Sequence, residues 1–118
     1  MSEGLETSVR QGNGLAIIQF RGDVTTFAEE AMQSAYHEAS RGNVRHIALD
    51  FTSCEYINSA GIAVIIGVVT EARRKGQDVY AFGLSSHYQK LFRMVGLMDY
   101  MVVCDSEAET LKRIGERV

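Results

Sequence analysis

The stretch Cys54-Glu55-Tyr56-Ile57-Asn58-Ser59-Ala60-Gly61-Ile62 decides how the rest of the chain is read. Upstream of it, Val44 to Phe51 is rich in apolar residues and alternates poorly, the pattern of a buried central strand. Downstream, Ile62 to Val69 carries β-branched residues that suit a strand as well as a helix. Three features turn it to helix. Asn58 is a strong N-cap residue, Thr70 to Lys75 continues polar and helix-compatible, and Gly76 is placed to end the helix. Ser59 therefore falls where a strand passes into a helix, followed by two minimal residues, Ala60 and Gly61. A hydroxyl in that position is a nucleophile, a phosphate acceptor or part of a helix cap.

Working outward, strands and helices alternate. Leu5 to Arg10 predicts a weak strand, Gly12-Asn13-Gly14 a tight turn, and Leu15 to Phe20 a strong strand, so the first two strands form a hairpin. Thr25 and Thr26 open a helix, with Thr26 and Glu29 at capping-box spacing, that runs to about Ser40 and stops at Gly42. Val79 to Phe82 is the next strand. Ser86 and Gln89 are spaced as a second capping box before a short helix ending at Gly96. Tyr100 to Cys104 is a last short strand, and Ser106 with Glu109 caps the final helix. The chain has no proline, no linker composition and no internal repeat. Residues 1–118 read as one α/β domain, with parallel strands wherever a helix crosses between them.

Composition narrows the function. At 118 residues and 46% hydrophobic, the chain can build one continuous core without a disulfide or metal staple. A net charge of −3 and a pI near 5.6 argue against nucleic acid, which needs clustered Lys and Arg. The one basic cluster, Arg73-Arg74-Lys75, complements a helix C-terminus. Cys54 and Cys104 are isolated and read as free thiols of a reducing compartment. The start Met1 to Glu6 lacks a signal-peptide pattern, and the apolar run Ile62 to Val69 is too short to span a bilayer. These point to a cytoplasmic protein without a membrane span.

Each candidate chemistry at Ser59 meets a specific test. A nucleophile elbow needs glycine two residues before the serine, and position 57 is Ile. Of the histidines, His37 lies mid-helix and His46 early in a strand; only His87, just after a cap, could serve as a base. No P-loop or dinucleotide fingerprint occurs, and Asp and Glu do not cluster with His or Cys, so neither a cofactor nor a metal is expected. A phosphate fits better. The helix start has unpaired N–H groups and the positive dipole end, and it carries no acid, unlike those with Glu29 and Glu30 or Glu107 and Glu109. Ala60 and Gly61 would also let another protein approach closely. Taken alone, the local sequence is better accounted for by capping by Asn58 and Ser59, with Gly61 a packing residue.

The surroundings add a resemblance. Val44 to Val69, with Ile57-Asn58-Ser59-Ala60-Gly61 between strand and apolar helix, resembles the signature of the STAS family of anti-sigma-factor antagonists, typically Asp-Ser-Ser-Gly. Gly22-Asp23-Val24 looks like the family's Gly-x-Leu-Asp turn, and Leu91 to Leu97 resembles its "LF…GL" segment. The resemblance extends over almost the whole chain. It implies a mixed sheet of four or five strands with helices mainly on one side. It also implies a non-enzymatic partner switch: the unphosphorylated protein binds an anti-sigma factor that is also a serine kinase, phosphorylation breaks the complex, and a phosphatase restores it.

Carried over residue by residue, the acceptor falls on Ser59, and Asp23, Thr25, Asn58, Ala60, Gly61 and Ile62 form the partner surface. The sequence departs from the family pattern in three places. Asn58 stands for the family's Asp, Ala60 for its second serine and Thr25 for the Asp ending the turn. Two carboxylates near the acceptor are thus replaced by neutral groups, which lowers the opposition to a phosphate and alters any kinase contact that used them. Those changes keep a second expectation open: a constitutive, unphosphorylated scaffold or subunit of a stress-signalling or lipid-transport assembly. A hydrolase using Ser59 and His87 is the third.

Overall fold

The computed structural model describes residues 4–117; the part of the leader reading that rests on Met1 to Glu3 lies outside them. β1 (Glu6–Gly12) and β2 (Leu15–Val24) form the expected antiparallel hairpin. Its turn places Asn13 and Gly14 at φ 55° and 79°, the two left-handed residues that a two-residue hairpin loop demands. β3 (His46–Ile57), β4 (Asp78–Phe82) and β5 (Val102–Cys104) add in parallel, giving a five-stranded sheet in the order β1-β2-β3-β4-β5. α1 (Glu29–Ala39), α2 (Ser59–Arg74) and α3 (Ser86–Met94) make the crossovers, and α4 (Glu107–Arg117) follows β5.

Strand alternation assigns the two faces. Ile47, Leu49 and Phe51 of β3 point into the main core with Ile18, Phe20, Met32, Ile65, Val69 and Phe92, so α1, α2 and α3 cover one face. Ala48 points the other way, with Ile17, Tyr80, Phe82 and Cys104, and meets Ile114 of α4. The helices therefore lie three to one. A buried polar relay ties the pole opposite Ser59: the Tyr36 hydroxyl donates to Gln77 Oε1 at 2.7 Å, and Gln77 Nε2 donates to the Val44 carbonyl at 3.1 Å.

Three expectations shift by short steps. The first crossover is capped by Thr25, whose hydroxyl accepts from the Phe27 amide, and begins as a 3-10 turn over Thr26–Ala28. The Thr26–Glu29 box is not formed because the cap is Thr25, and the residue three positions on is Ala28, which has no side-chain acceptor. On α3 the cap is Ser85, one residue earlier than expected, accepting from the Tyr88 amide at 3.3 Å, while Gln89 donates to the Leu84 carbonyl. β3 also runs past Phe51 to Ile57. Its later residues pair only with β2, because β4 ends at Phe82 opposite Asp50. Half-paired strand tolerates polar residues such as Thr52 and Glu55, which lie beyond the apolar run Val44 to Phe51.

Candidate functional site

Asn58 holds the junction of β3 and α2 from three sides. Its side-chain oxygen accepts from the Gly61 amide at 2.8 Å, closing the helix cap. Its own amide donates to the Val24 carbonyl at 3.2 Å, and its carbonyl accepts from Ile62 at 2.9 Å. Asn58, not Ser59, is thus the cap. Ser59 is the first helical residue and is exposed. With the amides of Gly61 and Ile62 taken, those of Ser59 and Ala60 are the orphan donors of the first turn. No acidic residue stands in that turn, while Arg73 and Arg74 complete the far end of the helix.

Gly61 shows why the turn is built from small residues. It is buried, and a methyl group added there would lie 2.6 Å from the Val24 carbonyl carbon and closer still to its oxygen. The missing side chain is used inward, letting α2 press on the end of β2. That contact brings the second strand beside Ser59. Val24 pairs with Ile57, past an irregularity in the β2–β3 register that carries Asp23 to the exposed strand end. Thr25 follows as the cap of the next turn. The expected residues Asp23, Thr25, Asn58, Ser59, Ala60, Gly61 and Ile62 therefore gather at one pole, at the C-terminal ends of β2 and β3. Asp23, Ser59 and the partly covered Ala60 and Thr25 reach the surface; Gly61 and Ile62 are largely buried.

The electrostatics of this pole are set by the strand ends. Burial pushes the Cys54 thiol up, and the charges of Asp23 and Glu55 push the same way. A thiol so placed is a poor nucleophile. His87 packs its ring edge-on to Tyr88 at 4.9 Å and makes no hydrogen bond to Ser59, so the geometry supplies no serine–base link. Among the described residues, no group of three or more His, Cys, Asp or Glu is placed to hold a metal ion. Likewise, no helix among them is long and apolar enough to cross a membrane.

Local sequence does not reveal what lies on the other side of Ser59. An open depression of about 330 Å³ is lined by Tyr56, Ile57, Asn58, Ser59, Ile62, Leu91 and Val95. Leu91 belongs to the "LF…GL" segment, but nothing in its spacing places it beside a residue 32 positions earlier. Tyr88 is the second unforeseen neighbour: its hydroxyl accepts from the Ile57 amide at 3.0 Å.

Comparison with known proteins gives one family. The family model of the STAS domain matches residues 6–110. The anti-sigma F factor antagonist of Paenibacillus polymyxa is 22% identical over 111 residues, covering 93% of this chain and 95% of that protein. Among solved structures, the unphosphorylated form of the anti-sigma factor antagonist SpoIIAA superposes with a TM-score of 0.71 at 18% identity, covering 92% of this chain and 97% of the other. The phosphorylated form of SpoIIAA, a Bacillus cell fate determinant, gives 0.70 at 20% identity, covering 92% and 99%.

Proposed function

This chain belongs to the STAS domain family, and from that premise we propose that it is an anti-sigma-factor antagonist switched by phosphorylation of Ser59. The observation that carries the reading is the start of α2: an exposed serine at the first helical position, beside orphan amides, with no acid in the turn. A phosphate there adds roughly −1.5 to −2 charges at a helix end that favours an anion. The fold then need not change for the surface to change. Charge and bulk appear at the centre of the pole formed by Asp23, Thr25, Asn58 and Ala60, and a partner fitted to the neutral hydroxyl is expelled.

The division of labour at the turn supports this reading. Asn58 supplies the cap and Gly61 supplies the packing, so Ser59 is left free of structural duty. The relatives' names supply the partner class, an anti-sigma factor, in this reading also the serine kinase, with a phosphatase to reset the switch. Asn58 in place of an acid is the feature that favours a second reading, a constitutive scaffold that is never phosphorylated. Incubation with the kinase-like anti-sigma protein of the same cell separates the two. The switch expects phosphate on the peptide containing Ser59, and a complex that dissociates as it is added; a scaffold gives neither and elutes in a large assembly.

A further inference from the structure

At the pole opposite Ser59, where β2, β3 and β4 begin, two stretches gather much of the chain's positive charge. Residues 40–45, between α1 and β3, hold Arg41 and Arg45; residues 73–77, from the end of α2 to β4, hold Arg73, Arg74 and Lys75. These are five of the 12 Lys and Arg of a chain whose net charge is −3, and neither stretch contains an acid. Between them lies an open cleft of about 670 Å³, lined by Ser40, Asn43, Val44, Arg45, Lys75 and Gln77 among others. A depression of about 310 Å³, lined by Gln11, Asn13, Leu15 and Arg41 among others, continues it through Asn43 and Val44. The resulting trough crosses the starts of three strands, about 10 Å from β2 to β4 at the usual spacing.

Part of this charge is already spent. Arg73 and Arg74 answer the dipole of α2; Arg73 also pairs with Asp78 at 3.5 Å, and Lys75 with Glu71 at 3.8 Å. Arg41 and Arg45 lie beyond both helices, exposed, and form no ion pair among the described residues. Glu38, exposed in the last turn of α1, offsets them in part, but no acid lines either half of the trough. The Ser40 hydroxyl is buried without a hydrogen-bond partner, and the amides of Gly42, Asn43 and Val44 find no acceptor among the described residues. Carboxylate oxygens suit all of these groups. We propose that the trough binds an extended, acidic segment of a second protein. Arg41 lies in one half and Arg45 with Lys75 in the other. One compact oxyanion cannot serve both, whereas alternate carboxylates of an extended chain, about 7 Å apart, can. No aromatic side chain lines the trough, which disfavours single-stranded nucleic acid, whose bases need a stacking surface. Gln77, fixed by Tyr36 and Val44, preorganises the floor. The proposal is independent of Ser59, which lies at the other end of β3.

The test titrates the full chain, labelled with ¹⁵N, with a synthetic peptide of about eight residues in which Glu and Ser alternate. The amide signals of Gly14, Gly42, Asn43, Val44 and Gly76 should move, and those of Ser59 and Ala60 should not. The same peptide with Gln for Glu should bind about tenfold more weakly. Arg41→Gln and Arg45→Gln should each weaken the Glu peptide about fivefold, and Arg74→Gln, outside the lining, by less than about twofold. Ser40→Ala loses no hydrogen bond in the free protein, so it should unfold like wild type and still weaken the peptide about threefold. Amides of this pole unmoved at about 1 mM peptide, equal binding of the Gln peptide, or equal losses from Arg74→Gln and Arg45→Gln would overturn the proposal. So would tighter binding of an oligothymidylate, or of phosphatidylglycerol vesicles, that Arg45→Gln abolishes, since nucleic acid or a membrane surface would then be the occupant.

Discussion

The Tyr88 hydroxyl accepts a hydrogen bond from the Ile57 amide at 3.0 Å, tying α3 to the last residue of β3. Ile57 lies seven residues beyond the last β3–β4 pair, Asp50 with Phe82, so its amide has no strand to bond. The next amide, Asn58, donates across to Val24 on β2. The strand end that presents Ser59 is thereby held from both sides, by β2 and by a phenol standing in for the missing strand.

Tyr88→Phe removes that acceptor and leaves a partly buried N–H unsatisfied. A loss of about 1 kcal/mol in urea unfolding is expected. Hydrogen exchange is the sharper measurement. Ile57 should lose protection well beyond the global change, while Leu49 in the paired part of β3 should follow the global change alone. Equal losses at both amides would mean that the hydroxyl does not hold the strand end.

Gly61→Ala forces a methyl group against the Val24 carbonyl. Because the obstacle is backbone, relief requires α2 to lift from β2, and a destabilisation of about 3 kcal/mol is expected. Ala60→Gly, one residue away and only partly covered, should cost about 1 kcal/mol through helix propensity. Comparable unfolding midpoints for wild type and Gly61→Ala would contradict the packing described.

Asn58→Ala removes the cap acceptor for Gly61 and should cost about 1 kcal/mol. Asn58→Asp keeps the acceptor and adds a charge suited to the helix dipole, so thermal unfolding should show no loss and a gain of up to about 1 kcal/mol. That pair separates folding from function. If Asn58→Asp is as stable as wild type but slower to accept phosphate, the cause is charge beside Ser59.

Arg10 and Glu107 join the hairpin to α4 through two hydrogen bonds, at 2.9 and 3.2 Å. The Arg10 guanidinium holds the Glu107 carboxyl below its usual range, and Arg10 is raised in turn. A depressed carboxyl stabilises the fold above its unfolded pKa of about 4.3, and that stability is lost as pH falls through the folded value. Arg10 titrates too high to matter in the working range. With the side chains 59% and 37% exposed, the pair should contribute at most about 1 kcal/mol, less in high salt. Glu107→Gln should therefore destabilise at pH 7 and match wild type well below pH 4.3 or so; a deficit that persists in acid would assign the effect to packing.

Much of this fold was legible because local signals agreed with it. The Asn13-Gly14 turn, the apolar run of β3, the Asn58 cap and Gly76 each have one favourable structural reading, and each was found there. The STAS resemblance supplied the sheet's membership and the direction of its faces. The caps at Thr25 and Ser85 were misplaced by one residue, because adjacent hydroxyls offer the same chemistry and only backbone geometry chooses between them. The site was half legible. Asn58, Ser59 and Gly61 fall within four consecutive residues, so the local sequence singles them out. Tyr88, Leu91 and Val95 meet the end of β3 only because α3 crosses it, and no local periodicity encodes that crossing. Gly61 already reads as a packing residue in the sequence, but what it packs on was hidden for the same reason: its contact, Val24, lies on another strand.

The most direct measurement is binding to the kinase-like anti-sigma protein, compared for wild type, Ser59→Ala and Ser59→Asp, with the phosphorylated peptide mapped by mass. Wild type should bind and then be released as Ser59 gains phosphate. Ser59→Ala should bind without acquiring phosphate, and Ser59→Asp should bind about tenfold or more weakly. Equal phosphorylation of Ser59→Ala, or full-strength binding by Ser59→Asp, would contradict a switch at Ser59.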